Sequence, residues 1–148
     1  MSDSPKTQSQ SRPWHLWVVG GLTLLLSGFA TFDYIMTATK NEAYLADFPP
    51  ATLDYYFSFP LWVFVLWAVG NLGGMLGGLL LLVRKVWAIW SLAASAAAAI
   101  IATFYTYAFK GGLAVTGMAG LITSLVFLAI SVLVVVYARR MKDKGVLC

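Results

Sequence analysis

Hydrophobic residues dominate four long segments of this chain, and polar or charged residues separate them. The segments are residues 14–36, 61–83, 86–109 and 113–137. Each exceeds the about 20 residues that a helix needs to cross the hydrocarbon core of a bilayer, and none has a charge in its central part. A membrane barrel would instead alternate polar and apolar residues, and an open sheet would leave backbone groups unpaired in lipid. The pattern predicts an all-α integral membrane protein, a four-helix bundle.

The connections between these segments differ in length and composition. The first, residues 37–60, is rich in acidic, aromatic and proline residues and predicts a short capping segment between helices 1 and 2. The second is only Arg84-Lys85, and the third is residues 110–112, with two glycines suited to a turn. We expect residues 1–13 to form a disordered tail, residues 14–138 one transmembrane domain and residues 139–148 a basic tail.

The composition agrees with a membrane protein and excludes several other classes. Of the 148 residues, 60% are hydrophobic and 11% charged, and the mean hydropathy is +0.80. Soluble domains usually carry about 25% charged residues. The pI is about 9.3, but no basic run is long enough to follow a phosphate backbone, so we expect no nucleic-acid partner. A single cysteine, Cys148, excludes a disulfide within the chain.

The basic residues predict the orientation in the membrane. Only Lys40 and Lys110 lie on one side of the predicted bilayer. The other eight lie on the opposite side: Lys6, Arg12, Arg84, Lys85, Arg139, Arg140, Lys142 and Lys144. Short loops rich in Lys and Arg stay in the cytoplasm. The sequence therefore predicts that both termini are cytoplasmic and that the capping segment faces outward.

Small residues form stripes on the predicted helices. Helix 2 carries Gly70, Gly73, Gly74, Gly77 and Gly78, and helix 4 carries Gly117, Gly120 and Ser124. Helices in lipid associate by close approach of their backbones, which small residues allow. We expect these stripes to be the packing faces of the bundle. An alternative is that part of the helix 2 stripe forms a homodimer contact or lines a passage.

One amide and a group of outer residues are the candidates for chemistry. Asn71 lies near the middle of helix 2, where it predicts either a hydrogen bond to a Ser or Thr of another helix or a substrate contact. Carboxylates with aromatic rings can hold sugars or organic cations, or can anchor a loop at the interface. The candidate ligand or proton site comprises Asp33, Tyr34, Glu42, Tyr44, Asn71, Tyr105 and Lys110. Lys110 is the expected ion-pair partner of Asp33.

The sequence gives little support to catalysis. The one histidine, His15, lies at the predicted cytoplasmic interface, so a multi-histidine metal or haem site is not expected. Neither a Ser-His-acid set nor a phosphate loop occurs. We predict no enzymatic activity, no catalytic residues, no metal and no cofactor.

Four short stretches carry a resemblance to a known group of proteins. They are FDYIMT at residues 32–37, KNEAY at 40–44, FPLW at 59–62 and YARRM at 137–141. In these stretches the chain resembles small bacterial four-helix inner-membrane proteins that are often labelled sugar transporter. The resemblance implies a bacterial inner membrane and small-molecule transport. It assigns no binding residues.

Two functional hypotheses follow. The first is a transport or permeation component for a small, sugar-like molecule, acting as a homo-oligomer because four helices enclose little volume. The second is an accessory subunit that binds a larger membrane protein through the glycine stripe or the outer segment. In both hypotheses the lipid bilayer is a partner.

Overall fold

The computed structural model describes residues 12–148, and in that range the chain is helical without strands. The helices are α1 (Trp14–Ala38), α2 (Glu42–Leu45), α3 (Pro50–Phe57), α4 (Leu61–Leu82), α5 (Trp87–Ala108) and α6 (Gly112–Asp143). Four of them, α1, α4, α5 and α6, are long and apolar enough to cross a membrane. Residues 1–11, which include Lys6 and most of the predicted tail, lie outside the described residues.

Proline, asparagine and glycine mark where the helices begin. Pro13 and Pro60 directly precede α1 and α4, and Pro50 occupies the first turn of α3, where a missing N–H costs nothing. The backbone N–H of Tyr44 donates to the Asn41 side chain at 3.0 Å, which caps α2. Gly111, with φ 65°, provides the left-handed turn before α6.

The long helices pack in chain order, with α4 between α1 and α5 and with α6 against α5. We call the end with α2, α3 and the turn at residues 109–111 the short-helix end. The opposite end, with residues 12–14, 84–86 and 139–148, is the basic end. Helices α1 and α6 are not packed against each other along their lengths. They meet near the basic end, where His15 Nδ1 and the Tyr137 hydroxyl lie 2.5 Å apart.

The glycines of α4 face both neighbouring helices. A Cβ built on Gly78 would lie 2.9 Å from the backbone nitrogen of Leu24 in α1. On the other side, Ser91 Oγ and Ser95 Oγ of α5 donate to the carbonyls of Gly73 and Gly70 at 2.7 and 2.5 Å. The stripe thus lies inside the bundle, where it brings α1, α4 and α5 to backbone contact.

Helix α6 differs from its prediction in two ways. It continues to Asp143 rather than ending at residue 137, and its backbone is broken at Gly117, where φ is 68° and ψ is −174°. That conformation is essentially restricted to glycine. Gly117 has no neighbour within 4 Å of a built Cβ, and the nearest atoms to Gly120 belong to Thr116 of the same helix. The two glycines therefore shape α6. The sequence pattern predicts instead that they pack this helix against another one, which these surroundings do not support.

An apolar cluster closes the basic end. It includes Leu16, Leu81 and Met141 with Val146 and Leu147 from the segment after α6. That segment is pinned to the α4–α5 turn: the Cys148 N–H donates to the Arg84 carbonyl at 2.8 Å, and the Val86 N–H donates to the Cys148 carbonyl at 2.9 Å. The residues predicted as a basic tail are therefore partly helix and partly core.

Candidate functional site

Three cavities lie between the helices and share walls. The central cavity, about 300 Å³, is lined by all four long helices and includes Ser27, Asn71, Ser95 and Ser124. The carboxylate cavity, about 280 Å³, lies towards the short helices and includes Asp33, Tyr34, Phe48, Tyr56, Trp67 and Asn71. The hydroxyl cavity, about 400 Å³, includes Tyr56, Trp67, Tyr107, Thr116 and Ser124. Trp67 lines all three, so the cavities adjoin one another around its side chain.

Asn71 lies in the wall common to the central and carboxylate cavities. The expected hydrogen bond to a Ser or Thr is not formed: among residues 12–148 the Asn71 amide has no hydrogen-bond partner. The serines of α5 bond to glycine carbonyls of α4 instead, because the glycines bring those carbonyls within reach. One amide oxygen and two amide N–H donors are thus free to meet a molecule in the cavities.

Asp33 is held by a residue of the short helices. The Tyr44 hydroxyl donates to Asp33 Oδ1 at 2.6 Å, and this contact orients the carboxylate in the wall of the carboxylate cavity. The hydrogen bond to Asp33 raises the pKa of Tyr44, with smaller contributions from desolvation and from the negative charge of Asp33. Tyr34 lines the same cavity.

The predicted ion pair between Asp33 and Lys110 is wrong. The Lys110 ammonium donates to the Ser58 carbonyl at 3.4 Å and lies 5.5 Å from the centre of the Phe59 ring. Lys40 is placed in a similar way, 4.8 Å from the centre of the Phe57 ring. Both lysines thus lie over aromatic rings of the segment around α3, and neither forms an ion pair with Asp33.

Two other predicted candidates lie outside the cavities. Glu42 is exposed in the first turn of α2. Tyr105 packs against Trp62, with ring centres 4.7 Å apart, and against Phe59 and Phe109. Neither residue lines one of the three cavities, so of the predicted set only Asp33, Tyr34 and Asn71 lie in these walls.

Several lining residues were not among the candidates from the sequence. Trp67 precedes Asn71 by one helical turn, so the i, i+4 spacing of a large ring and an amide could have indicated it. Tyr107 bridges the break in α6, with its hydroxyl 3.2 Å from both Thr116 Oγ1 and Ser124 Oγ. No sequence signal predicts this bridge, because it depends on the break at Gly117.

Tyr56 lines both the carboxylate cavity and the hydroxyl cavity. Burial raises its pKa, and the negative charge of Asp33 raises it further. Its ring packs edge-to-face on Trp67, with centres 6.0 Å apart. The neighbouring Tyr55 also has a raised pKa, chiefly from desolvation, and its hydroxyl donates to the Thr106 carbonyl at 3.4 Å. Both phenols are therefore neutral at ordinary pH and line or support the cavities as hydrogen-bonding groups.

In the described part of the chain, no group of three His, Cys, Asp or Glu side chains could hold a metal ion. What the cavities offer is an amide, several hydroxyls, aromatic rings and one carboxylate. Such a lining suits the binding of a small organic molecule.

No protein-family model, no curated protein and no solved structure matches this chain. The resemblance drawn from the sequence therefore stays a prediction.

Proposed function

We propose that this protein is a transport or permeation component that admits a small polar molecule to the three adjoining cavities from the short-helix end. The free Asn71 amide carries the proposal. A polar side chain at this depth in a membrane is costly unless a partner meets it, and such residues usually mark a substrate path. Asn71 lines two cavities and has no hydrogen-bond partner in the part of the chain that the structure describes.

The distribution of apolar and polar residues supports entry from the short-helix end. On the side of the basic end, the central cavity borders Leu92 and Val134, which pack in the apolar cluster there. On the other side it shares Asn71 and Trp67 with the carboxylate cavity, whose wall includes an exposed aspartate. We propose that the basic end faces the cytoplasm, as expected from the positive charges, and that the membrane is the bacterial inner membrane implied by the resemblance.

A permeation assay tests the proposal. Purified protein in liposomes should speed the osmotic re-swelling in glycerol or glucose relative to protein-free liposomes. Replacing the amide, Asn71→Leu, should remove most of the increase, because the polar contact at the junction of the cavities is lost. The control is Leu72→Ala at the next residue of α4, which is exposed on the outside of the bundle. Equal rates for wild type, N71L and liposomes without protein would exclude permeation of these solutes.

An accessory role in a larger complex is the second candidate, and the exposure of α6 favours it. The buried residues of this helix are Gly112, Ala138 and Met141, all close to its two ends, whereas the residues of its central turns are exposed or half-buried. Native mass measurement after mild solubilisation separates the candidates. A homo-oligomer without other proteins supports transport, and a stoichiometric complex with another membrane protein supports the accessory role.

A further inference from the structure

The Asp33 carboxylate has acceptor capacity that the described residues leave unused. It forms one hydrogen bond, from the Tyr44 hydroxyl, and no ion pair with any residue in the range 12–148. A carboxylate has two oxygens with about four acceptor positions. A neutral phenol holds the carboxylate in place but does not neutralise it. One negative charge therefore remains in the wall of a cavity.

The two lysines of the short-helix end, Lys40 and Lys110, do not act as counter-ions of the Asp33 carboxylate. Lys40 and Lys110 both lie over aromatic rings, at 4.8 and 5.5 Å from the ring centres, within the about 6 Å of an effective cation–π contact. The short-helix end also holds Glu42, Asp47 and Asp54, so its four carboxylates and two ammonium groups give it a net charge of −2. The local field therefore attracts cations and repels anions.

Aromatic rings complete the carboxylate cavity. Phe48, Tyr56 and Trp67 line it together with Asp33. Phe48 packs on Tyr44, with ring centres 5.8 Å apart, and Tyr56 packs on Trp67 at 6.0 Å. Each of the three rings thus has an aromatic neighbour that holds it in place. Aromatic side chains around one negative charge are the arrangement that binds ammonium groups, since the ring faces and the carboxylate both attract positive charge.

We propose that the carboxylate cavity binds a small organic cation with an ammonium centre. Its positive charge lies against Asp33 and the rings of Phe48, Tyr56 and Trp67, while a polar group on the same molecule meets the Asn71 amide in the common wall. This inference rests on the proposed function, whose solute it narrows from a small polar molecule to a cationic one. A cavity of about 280 Å³ limits the ligand to a small molecule.

Other ligand classes fit this cavity less well. A divalent metal prefers several oxygen ligands, and the wall supplies a single carboxylate. An anion would be repelled by Asp33. A neutral sugar would satisfy the hydroxyls and the amide but would leave the carboxylate without a counter-charge. Only an organic cation uses the charge, the rings and the amide together.

Calorimetric titration with choline, on purified protein in nanodiscs of neutral lipid, tests this inference. The comparison compound is the uncharged isostere of choline, in which carbon replaces the quaternary nitrogen. We expect choline to bind about ten-fold or more tightly than the isostere, and the Asp33→Asn variant to lose that preference. The matched control is Asp54→Asn, since Asp54 is an exposed carboxylate of α3 that does not line the cavity. Circular dichroism and native mass confirm that each variant is folded.

The possible results separate this inference from the proposed function. Preferential binding of choline that D33N abolishes and D54N retains supports the cation site. Equal binding of choline and its isostere, or an unchanged preference in D33N, overturns the cation site but leaves a small-molecule site. If choline does not bind while glycerol or glucose still permeates in an Asn71-dependent way, the cation site is overturned and the proposed function stands. If no probe binds or permeates, both are overturned.

Discussion

At the scale of single residues, the contact between Tyr44 and Asp33 joins the segment between α1 and α4 to the first long helix. Asp33 lies near the end of α1, and the Tyr44 hydroxyl reaches it from α2 at 2.6 Å. The Tyr44 ring also packs edge-to-face on Phe32, with centres 5.7 Å apart. A polar and an apolar contact thus place α2 beside the carboxylate cavity. Because of this contact, a change at Asp33 can be measured through the pKa of Tyr44.

We predict that Asp33→Asn lowers the pKa of Tyr44 towards its ordinary value of 10.0. The variant weakens the hydrogen bond that holds the phenolic proton, because it replaces the carboxylate acceptor with a neutral amide. The hydrogen bond contributes to stability below the pKa of an unfolded tyrosine, about 10, and the contribution is lost as the pH rises through the raised pKa of the folded protein. Alkaline absorbance titration measures this, with the Tyr44→Phe protein subtracted to isolate the Tyr44 phenol.

Asp54→Asn provides the control for this titration, because Asp54 does not contact Tyr44. The same pKa for Tyr44 in wild type and D33N would show that the hydrogen bond is not formed in solution. A change of similar size in D54N would show that the shift reflects the overall charge of the short-helix end and not the contact with Asp33.

Residue type and depth in the membrane were enough to predict Asp33 and Asn71 as candidates, but not their partners. The expected Asp33–Lys110 pair relied on both residues lying at the same depth. In the structure the pair is not formed, because the Lys110 side chain lies over the ring of Phe59 instead. Likewise, no serine within residues 12–148 bonds to Asn71, because the α5 serines bond to α4 carbonyls. Which of several nearby groups becomes the partner of a polar side chain depends on how the helices pack, and the sequence does not show that packing.

At the scale of helices, the glycines of α4 differ in what surrounds them. Gly78 faces the backbone of α1, with a built Cβ 2.9 Å from the Leu24 nitrogen, whereas Gly28 of α1 has nothing within 4 Å. We predict that Gly78→Ala lowers the free energy of unfolding by about 1–3 kcal/mol, because a backbone cannot yield as a side chain can. Unfolding in denaturing detergent, followed by circular dichroism, measures the loss.

Gly28→Ala is the matched control, since it adds the same methyl group to a membrane-spanning helix. We expect it to be neutral or to stabilise by up to about 1 kcal/mol, because alanine restricts the unfolded chain more than glycine does. Similar stabilities for G78A and G28A would contradict the close contact of α1 and α4.

The break in α6 leads to a separate prediction. Gly117 has open space around it but a φ of 68° and a ψ of −174°, which alanine adopts only with strain. We expect Gly117→Ala to destabilise by about 1–3 kcal/mol if the break persists. If α6 straightens instead, the Tyr107 bridge to Thr116 and Ser124 is lost, and the accessibility of the hydroxyl cavity changes. Hydrogen exchange of the amides at residues 112–120 distinguishes a persisting break from a straightened helix. If the variant keeps both the stability and the amide exchange rates of the wild type, the break is contradicted.

The sequence predicted the four long helices well because lipid imposes their length and apolar character. Helices α4 and α5 begin and end within a residue of the predicted bounds. The end of α6 was missed because the apolar run stops at residue 137, whereas helix formation continues through Arg139, Arg140 and Lys142. Hydrophobicity marks where a helix leaves lipid and not where it unwinds. The break at Gly117 has no such signal, since glycine is also common in intact membrane helices.

At the scale of the whole molecule, the segment after α6 contributes to closing the basic end. Leu147 is 4% exposed in the apolar cluster, whereas Leu133 of α6 is 66% exposed. We predict that Leu147→Ala lowers the free energy of unfolding by about 2–5 kcal/mol, because it leaves a cavity in the cluster. The variant should also speed amide exchange at Val86, which donates to the Cys148 carbonyl. Leu133→Ala, the same truncation on an exposed face, should change neither quantity; equal effects of both variants would contradict the closure.

The orientation of the whole protein has a direct test, since Cys148 is the one cysteine of the chain and is exposed. If the basic end faces the cytoplasm, a membrane-impermeant maleimide should label the protein in inverted membrane vesicles and leave it unlabelled in intact cells. A Cys148→Ser protein that carries Glu42→Cys, an exposed position of α2, should show the reverse pattern. Both patterns together support the orientation that the positive charges predict. The opposite pair of results would place the carboxylate cavity on the cytoplasmic side, and the solute of the proposed function would then enter from within the cell.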